Sequence, residues 1–336
     1  RVFPVYTNLD LEDALRGGGR YLTAAVDGDG RFVYSYLPKT DSVSAGYNIL
    51  RHAGTTYAML DLYSHSRDPE LLSAAERAIT YLMSQLRRCP VGGSFENCLV
   101  EDDRAKLGGN GLAVLALSYY MRVTGNEALL PEAQSLARWM TSLQAESGEF
   151  TTHTMKFSTG RDTGTVSAYY PGEAIYALAN LYLVDGNKAW LQAAQKGARW
   201  LAADRIEGKA PSDITHDHWL LLGLDVIQHI SPDPVYYEAA MTIADAIIRS
   251  QNMQPEFPDW FGGFYRPPSS TSNATRTEGL MAAYRVARDF GAPEEAERIL
   301  QAAQASVSFQ LTTQFHPESV MYLSDPQRAL GGFHRN

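Results

Sequence analysis

Apolar positions recur along this chain in five similar segments, each opening with a small or polar residue and continuing as an apolar helix. The clearest copies are residues 54–63, 109–117 and 172–182, and weaker copies begin at His216 and Thr277. Apolar residues cover nearly every position of these segments, so the helices should be buried on most sides. Their recurrence at intervals of about 45 to 63 residues predicts one helical unit repeated along the chain.

A second set of helices alternates with the first, and these helices are amphipathic. In the helix that contains Tyr81 and Leu82, apolar residues repeat with a period near 3.6, which predicts one buried stripe. We therefore expect six outer helices around five inner ones. The outer helices are marked by Tyr21-Leu22, Tyr81-Leu82, Trp139-Met140, Trp200-Leu201 and the segments 239–250 and 294–311.

A short glycine-phenylalanine signal follows most of the amphipathic helices. Glycine suits a tight turn, and phenylalanine can return from that turn to the core. Residues 32–36, after the first signal, are typical of a short strand. The copies of the signal are Gly30-Arg31-Phe32, Gly93-Ser94-Phe95, Gly148-Glu149-Phe150, Gly263-Phe264 and Gly332-Phe333.

A stack of such helical hairpins has two open ends, and closing the stack into a ring removes both. The pattern resembles the (α/α)6 toroids found among glycoside hydrolases, polysaccharide lyases and sugar epimerases. The resemblance covers nearly the whole chain and implies an all-α fold class, an α/α toroid of about 11 to 12 helices with short β-hairpins in its loops. It carries no catalytic signature, so it predicts the fold and leaves the chemistry open.

Residues 1–336 are predicted to form a single α/α toroid domain. The last Gly-Phe signal ends three residues before Asn336, where the sixth inner helix should begin. Three explanations stay open: the C-terminal helix has been lost, the ring closes with eleven helices, or a partner supplies the twelfth.

Charge and composition narrow the class of partner. A net charge of -9 without a basic stripe argues against nucleic acid, and no apolar run reaches the roughly 18 residues of a membrane span. Cys89 and Cys98 are spaced to close a small loop by a disulfide, although two separate thiols fit equally well. The chain begins at Arg1, as after removal of a signal peptide or in a trimmed chain. We expect a secreted or periplasmic protein, with the cytoplasm as the alternative.

Three acids are the candidate catalytic residues. In a toroid of this kind the inner helices run parallel, so the residues that precede them surround a funnel on one face, where the positive helix ends also point. Glu173, Asp217 and Glu278 stand at this level on successive inner helices. Glycoside hydrolysis needs a proton donor and a second carboxylate, about 5 Å apart for retention or about 6.5–9.5 Å for inversion. Helix capping is the alternative role of each acid.

Other side chains near this level have the chemistry to hold a sugar. Arg51, His52 and Arg276 place positive charge in an acidic protein, which suits a carboxylate-bearing or sulfated sugar, although ion pairing with the same acids fits equally well. Aromatic rings offer flat apolar faces on which sugars stack. The predicted substrate-binding residues are Arg51, His52, Lys106, Tyr169, Tyr170, His218, Trp219, Arg276 and Trp260.

No metal site and no cofactor are predicted. His216 and His218 flank Asp217, but residues two apart on a helix diverge by about 200°, so both rings reach one ion only on an extended backbone. The sequence contains no glycine-rich phosphate loop and no Gly-x-Ser-x-Gly elbow.

The leading hypothesis is a carbohydrate-active enzyme, a glycoside hydrolase that acts on a poly- or oligosaccharide by carboxylate acid/base catalysis. The first alternative is a uronate polysaccharide lyase or C5-epimerase, for which Tyr170, His52, Arg51 and Arg276 are of the right types. The second alternative is a non-catalytic toroid module that binds glycan or protein within a larger protein.

Overall fold

The computed structural model describes residues 6–254 and 256–334, and the predicted alternation of outer and inner helices is confirmed. Odd-numbered long helices form the outer layer and even-numbered ones the inner layer. Two four-residue helices, α12 Pro317–Val320 and α13 Pro326–Ala329, follow them. The long helices are α1 Asn8–Ala25, α2 Ile49–Ser66, α3 Pro69–Ser84, α4 Leu107–Thr124, α5 Leu130–Ser142, α6 Tyr170–Asp185, α7 Lys188–Arg205, α8 His218–Ile230, α9 Pro234–Arg249, α10 Ser270–Phe290 and α11 Pro293–Thr312.

The inner helices pack side by side in the order α2, α4, α6, α8 and α10. Residues 112–117 of α4 are at most 1% exposed, as their unbroken apolar pattern predicts. Glycines let the inner backbones approach closely. A Cβ on Gly111 would lie 3.1 Å from the carbonyl of Glu173, and a Cβ on Gly223 would lie 2.9 Å from the side chain of Ile175.

In four repeats the turn at the Gly-Phe signal packs on the next outer helix, whereas the copy at Gly93-Ser94-Phe95 lies in a β-hairpin of residues 86–101. In these four repeats the phenylalanine forms a β-bridge with a residue one or two positions after the end of the preceding outer helix. The glycine two positions earlier has φ between +82° and +101°, and a Cβ there would lie 1.9 to 2.3 Å from a carbonyl oxygen of the following outer helix. Only glycine fits such a site. These glycines are Gly30, Gly148, Gly262 and Gly331.

The last of these turns packs on the first helix, so the outer layer is a closed ring. Gly331 lies against Gly17 of α1, and the side-chain amide of Gln314 donates to the carbonyl of Ala14 at 2.8 Å. Equivalent hydrogen bonds join earlier pairs of outer helices. The side-chain amide of Gln144 donates to the carbonyl of Ala193, and that of Gln251 donates to the carbonyl of Ala302.

The inner layer has five long helices among the described residues, and no sixth lies between α10 and α2. A mainly apolar groove of about 840 Å³ runs there instead, walled by α1, α2, α10 and α11. Tyr57, Asp61 and Glu278 line it. Among the described residues we find no helix with both the length and the apolar character that a bilayer crossing requires.

The loops carry short antiparallel strands. The predicted strand over residues 32–36 is wrong except for Tyr36, because Phe32 bridges Val26 at the end of α1 instead. Cys89 and Cys98 form a disulfide with Cα atoms 5.8 Å apart, which decides between the two readings of their spacing. The strands are β1 Tyr36–Leu37 paired with β2 Ser42–Val43, and a sheet of β3 Leu86–Val91, β4 Ser94–Glu101, β5 Arg104–Lys106, β6 Thr154–Lys156 and β7 Arg161–Asp162 in that order.

Candidate active site

Two buried carboxyl groups lie at the N-terminal ends of neighbouring inner helices. Glu173 is in the first turn of α6 and is 3% exposed, and Asp217 is the N-cap of α8 and is 2% exposed. Carboxyl groups are almost never fully buried without a partner. We refer to Glu173 and Asp217 as the acid pair.

The hydrogen bonding of the acid pair is incomplete. Oδ1 of Asp217 accepts from the backbone N–H of Leu220 at 3.1 Å, so this residue does cap its helix. Oδ2 of Asp217 and Oε2 of Glu173 are buried without a hydrogen-bond partner. Because nearly all buried polar atoms in proteins are hydrogen-bonded, these two oxygens indicate a role beyond stability.

Glycines on the preceding helices make room for the acid pair. A Cβ on Gly108 of α4 would lie 1.8 Å from Oε2 of Glu173. A Cβ on Gly172 of α6 would lie 2.9 Å from Oδ2 of Asp217. Each carboxyl group therefore fills space that a larger residue on the neighbouring helix would occupy.

Burial raises the pKa of both carboxyl groups. The pKa of Glu173 rises to about 8, first because burial removes water and then because Asp217 repels its charged form. The pKa of Asp217 rises to about 7 through burial, while the hydrogen bond from Leu220 and the charges of Arg205 and Arg276 oppose the rise. At neutral pH Glu173 is mostly protonated, and Asp217 is divided between its two forms.

His218 adds a neutral imidazole next to the acid pair. It is the first residue of α8, 5% exposed, and its Nδ1 is buried without a hydrogen-bond partner. Its ring centroid lies 6.2 Å from that of Tyr169 and 4.6 Å from that of Trp219. Burial and then Arg276 lower the pKa of His218 to about 3, so the ring is uncharged at neutral pH.

Arg276 brings positive charge to the same end of the ring. Its Nε donates to the hydroxyl of Tyr265 at 2.9 Å, and its Nη2 donates to the hydroxyl of Tyr169 at 3.4 Å. The hydroxyl of Tyr265 lies 2.6 Å from Nδ1 of His216. Burial and then Arg276 lower the pKa of His216 to about 4, so that imidazole is neutral and can accept the hydroxyl proton.

Two other predicted binding residues lie at the start of inner helices. The ring of Tyr170 lies against Gly108, and its pKa is raised by burial and then by the charge of Glu173. Nζ of Lys106 lies 3.2 Å from a carboxylate oxygen of Glu101, so its charge is paired. Tyr170 is thus beside the acid pair, whereas Lys106 has an ion partner of its own.

Glu278 belongs to a separate group. We predicted it near the start of its helix, but α10 begins at Ser270, so Glu278 lies two turns inside. Its Oε1 accepts from the hydroxyl of Tyr57 at 3.4 Å, and burial followed by the charge of Asp61 raises its pKa to about 7. The ring of Trp219 lies 6.2 Å from that of Tyr57, which places this predicted sugar platform between the two groups.

Three predicted binding residues make contacts elsewhere. Exposed Arg51 donates to the hydroxyl of Tyr34 at 2.9 Å, and Trp260 stacks on Phe257 with centroids 4.7 Å apart. Nε2 of His52 lies 2.8 Å from a backbone carbonyl of α3, and burial lowers the pKa of His52 to about 4. Alignment of the repeat sequences predicts the position of a residue along its helix, but not the direction in which its side chain points.

Sequence reasoning missed His153 and Arg205. Nδ1 of His153 accepts from the N–H of Ser167, and its ring lies 6.4 Å from that of Tyr170. Arg205, the last residue of α7, donates to the carbonyl of Ala168, and its charge opposes the rise in the pKa of Asp217. Neither lies on an inner helix, where the repeat pattern directs attention.

Across residues 6–254 and 256–334, no three His, Cys, Asp or Glu side chains are grouped as metal ligands. In the triplet of His216, Asp217 and His218, the two imidazole rings contact different residues. His216 turns to Tyr265, whereas His218 turns to Tyr169.

No protein-family model matches the sequence, and no curated protein matches it significantly. Solved structures match its fold. The cellobiose 2-epimerase of Bacillus thermoamylovorans B4167 has a TM-score of 0.71 and 15% identity, over 92% of this chain and 88% of that one. The alpha-1,6-mannanase GH76A of Salegentibacter sp. HEL1_6 has a TM-score of 0.62 and 12% identity, over 94% and 98%. An unsaturated glucuronyl hydrolase specific for heparin has a TM-score of 0.63 and 14% identity, over 92% and 86%. The predicted α/α toroid fold is confirmed.

Proposed function

We propose that this protein is a carbohydrate-active enzyme that hydrolyses a glycosidic bond in an oligo- or polysaccharide. The observation that carries the proposal is the acid pair, in which burial and neighbouring charges give Glu173 a pKa of about 8 and Asp217 a pKa of about 7. Two buried carboxyl groups with raised pKa values can share the roles of proton donor and second carboxylate near neutral pH.

Glu173 is the general acid. Its pKa keeps the proton in place at neutral pH, and the proton passes to the oxygen of the leaving sugar as the bond breaks. Asp217, in its ionised form, is the second carboxylate, which either activates water or attacks the anomeric carbon. Arg205 and Arg276 favour this ionised form. The anomer released first distinguishes the two routes.

The fold neighbours support a sugar substrate. They include a mannanase and a glucuronyl hydrolase, and a variant of the mannanase with two aspartates replaced by asparagine is inactive. A toroid of this shape can therefore carry hydrolysis that depends on acidic side chains. In this chain the acid pair places two carboxyl groups at the N-terminal ends of inner helices, each with one buried oxygen that lacks a hydrogen-bond partner.

A sugar epimerase is the second candidate, and His218 is the observation that favours it. Epimerisation removes a proton from carbon and returns one to the opposite face, which a neutral imidazole can support at neutral pH. Nδ1 of His218 is buried without a partner next to Asp217. A cellobiose 2-epimerase is among the proteins with this fold.

The expected secreted or periplasmic location is supported by the disulfide between Cys89 and Cys98, since such bonds persist mainly in oxidising compartments. Both sulfurs belong to residues that are fully buried, so the bond is part of the loop structure.

A glycan panel incubated with the purified protein in D₂O separates the candidates. Hydrolysis releases reducing ends without new ultraviolet absorbance, and a lyase produces the absorbance of an unsaturated uronate. Deuterium that enters the sugar without cleavage indicates an epimerase. Binding without any turnover across the panel would contradict the proposed enzyme and favour the binding module.

A further inference from the structure

Arg276 is buried, yet no carboxylate of residues 6–254 and 256–334 forms a close ion pair with it. The residue lies in the second turn of α10 and is 9% exposed. No Asp or Glu oxygen of the described residues lies within 4.0 Å of its guanidinium nitrogens. Arg285, on the same helix, shows the ordinary arrangement, with Nη2 2.6 Å from Asp225. A buried charge that lacks an opposite charge is costly, so the position of Arg276 requires a reason.

The groups around Arg276 do not neutralise it. Burial raises the pKa of the acid pair, so these two carboxyl groups carry less than full negative charge at neutral pH. His216 and His218 are uncharged. Arg205 adds a second positive charge within electrostatic reach of Asp217. Counted over these six groups alone, the charge at this end of the ring is positive, in a protein whose net charge is -9.

The free donors of Arg276 match a planar anion. A guanidinium has five N–H groups, and three of these are directed to the oxygens of Tyr265, Tyr169 and Thr275. One N–H remains on each terminal nitrogen. A carboxylate has two oxygens in one plane, so it can accept from both N–H groups at once.

The residues that hold Arg276 are fixed and reachable. Tyr265 has a φ of +69°, which is uncommon for a bulky residue. The ring of Tyr265 stacks on the ring of His216, with centroids 5.6 Å apart. The guanidinium carbon of Arg276 lies 5.3 Å from the centroid of the Tyr265 ring. Tyr169, His216 and Tyr265 are half-buried, so the cluster extends from the interior to the surface.

We propose that Arg276 binds the carboxylate of a uronic acid unit in the saccharide on which the acid pair acts. This inference rests on the proposed function and specifies its substrate class as an acidic, uronate-bearing glycan. The bound carboxylate accepts hydrogen bonds from the two remaining N–H groups of Arg276. It also supplies a negative charge opposite the guanidinium. Arg205 contributes longer-range attraction. Sulfate and phosphate esters are also anions whose oxygens can accept from both terminal nitrogens of a guanidinium, so the test compares them with the uronates.

The test measures binding by calorimetry, with Glu173→Gln protein so that the ligand is not consumed. The ligands are short oligosaccharides of glucuronic, galacturonic and mannuronic acid, each paired with its uncharged methyl ester. We expect at least one acid to bind about tenfold or more tightly than its ester. Arg276→Gln should remove this preference, whereas Arg199→Gln, which deletes an outer-layer arginine paired with Asp233, should keep it.

Equal binding of acid and ester across the panel overturns the proposal, as does a preference that Arg276→Gln retains. Tighter binding of a sulfated oligosaccharide or of inorganic phosphate also overturns it. If circular dichroism shows that Arg276→Gln is unfolded, Tyr265→Phe replaces it, and an unreduced preference then counts against the proposal. A preference for uronates without turnover by the wild type contradicts the proposed function alone. Turnover restricted to neutral glycans contradicts the assignment of Arg276 alone.

Discussion

The carboxyl group of Glu173 fills the space beside Gly108, where a Cβ would lie 1.8 Å from Oε2. The next residue, Gly109, has room for a Cβ, because the nearest atom to it would be on Leu50 at 3.7 Å, an ordinary contact distance. Two adjacent glycines of α4 therefore differ in their relation to the acid pair, and this difference can be tested.

Gly108→Ala should lower kcat/KM by about a hundredfold or more, because a displaced catalytic group loses most of its effect. Gly109→Ala is the matched control. It should keep the activity and stabilise the protein by about 0.5–1 kcal/mol, the usual gain from replacing a helical glycine. Steady-state kinetics and urea unfolding measure both effects. Similar activity in the two variants would show that the position of Glu173 is not critical.

Glu173→Gln should reduce kcat by about 10²- to 10⁴-fold, since the amide cannot deliver a proton. The fold should be retained, because the amide is nearly the same size and carries no charge to bury. Glu132→Gln is the control, since Glu132 also lies in the first turn of a helix with a buried, unpartnered Oε2, but in the outer layer. Unfolding of Glu173→Gln with normal activity per folded molecule would identify Glu173 as structural.

The rate of hydrolysis should depend on pH as a bell with its maximum between about pH 7 and 8. The active form has Asp217 ionised, with a pKa of about 7, and Glu173 protonated, with a pKa of about 8. The two limbs belong to the coupled pair rather than to either residue alone. A plot of log kcat/KM against pH measures them, and a maximum near pH 5 would contradict the assigned roles.

Stability should fall as the pH rises from about 6.5 to 8. The pKa values of Glu173, Asp217 and Glu278 are raised to about 8, 7 and 7 in the folded protein. In the unfolded chain such groups lose their protons near pH 4. Below about pH 6.5 this effect is offset by three histidines that bind fewer protons in the folded state, since their pKa values are lowered to about 4, 4 and 3: His52, His216 and His218. Between about pH 6.5 and 8 the folded state holds more protons, and the free energy of unfolding decreases with increasing pH.

Urea midpoints at pH 6.5 and 8.5 test this dependence, and Glu173→Gln should weaken it by removing one of the three carboxyl groups. A wild-type midpoint that increases with pH would show that other ionisable groups dominate.

The sequence predicted the fold well because the repeat is local information. The apolar run at 109–117 predicts a buried helix, and the Gly-Phe signals predict tight turns from which phenylalanine returns to the core. Within the site, Glu173 and Asp217 were placed correctly at helix N-termini, since their helices begin where the pattern begins.

The remaining site residues depend on geometry that no periodic pattern records. His52 faces α3 because of the rotation of α2 about its axis. Glu278 lies deeper than expected because α10 starts at Ser270. Arg205 reaches the site from the end of an outer helix. Tertiary packing determines where each helix begins and how it is rotated about its axis, and these three positions follow from that packing.

The bond from Gln314 to Ala14 connects residues 300 positions apart in the chain. Closing so large a loop is entropically unfavourable until the helices between its ends have been assembled. We therefore expect ring closure to be a late event in folding. Weakening the contact between Gln314 and Ala14 would chiefly accelerate unfolding and leave the folding rate nearly unchanged.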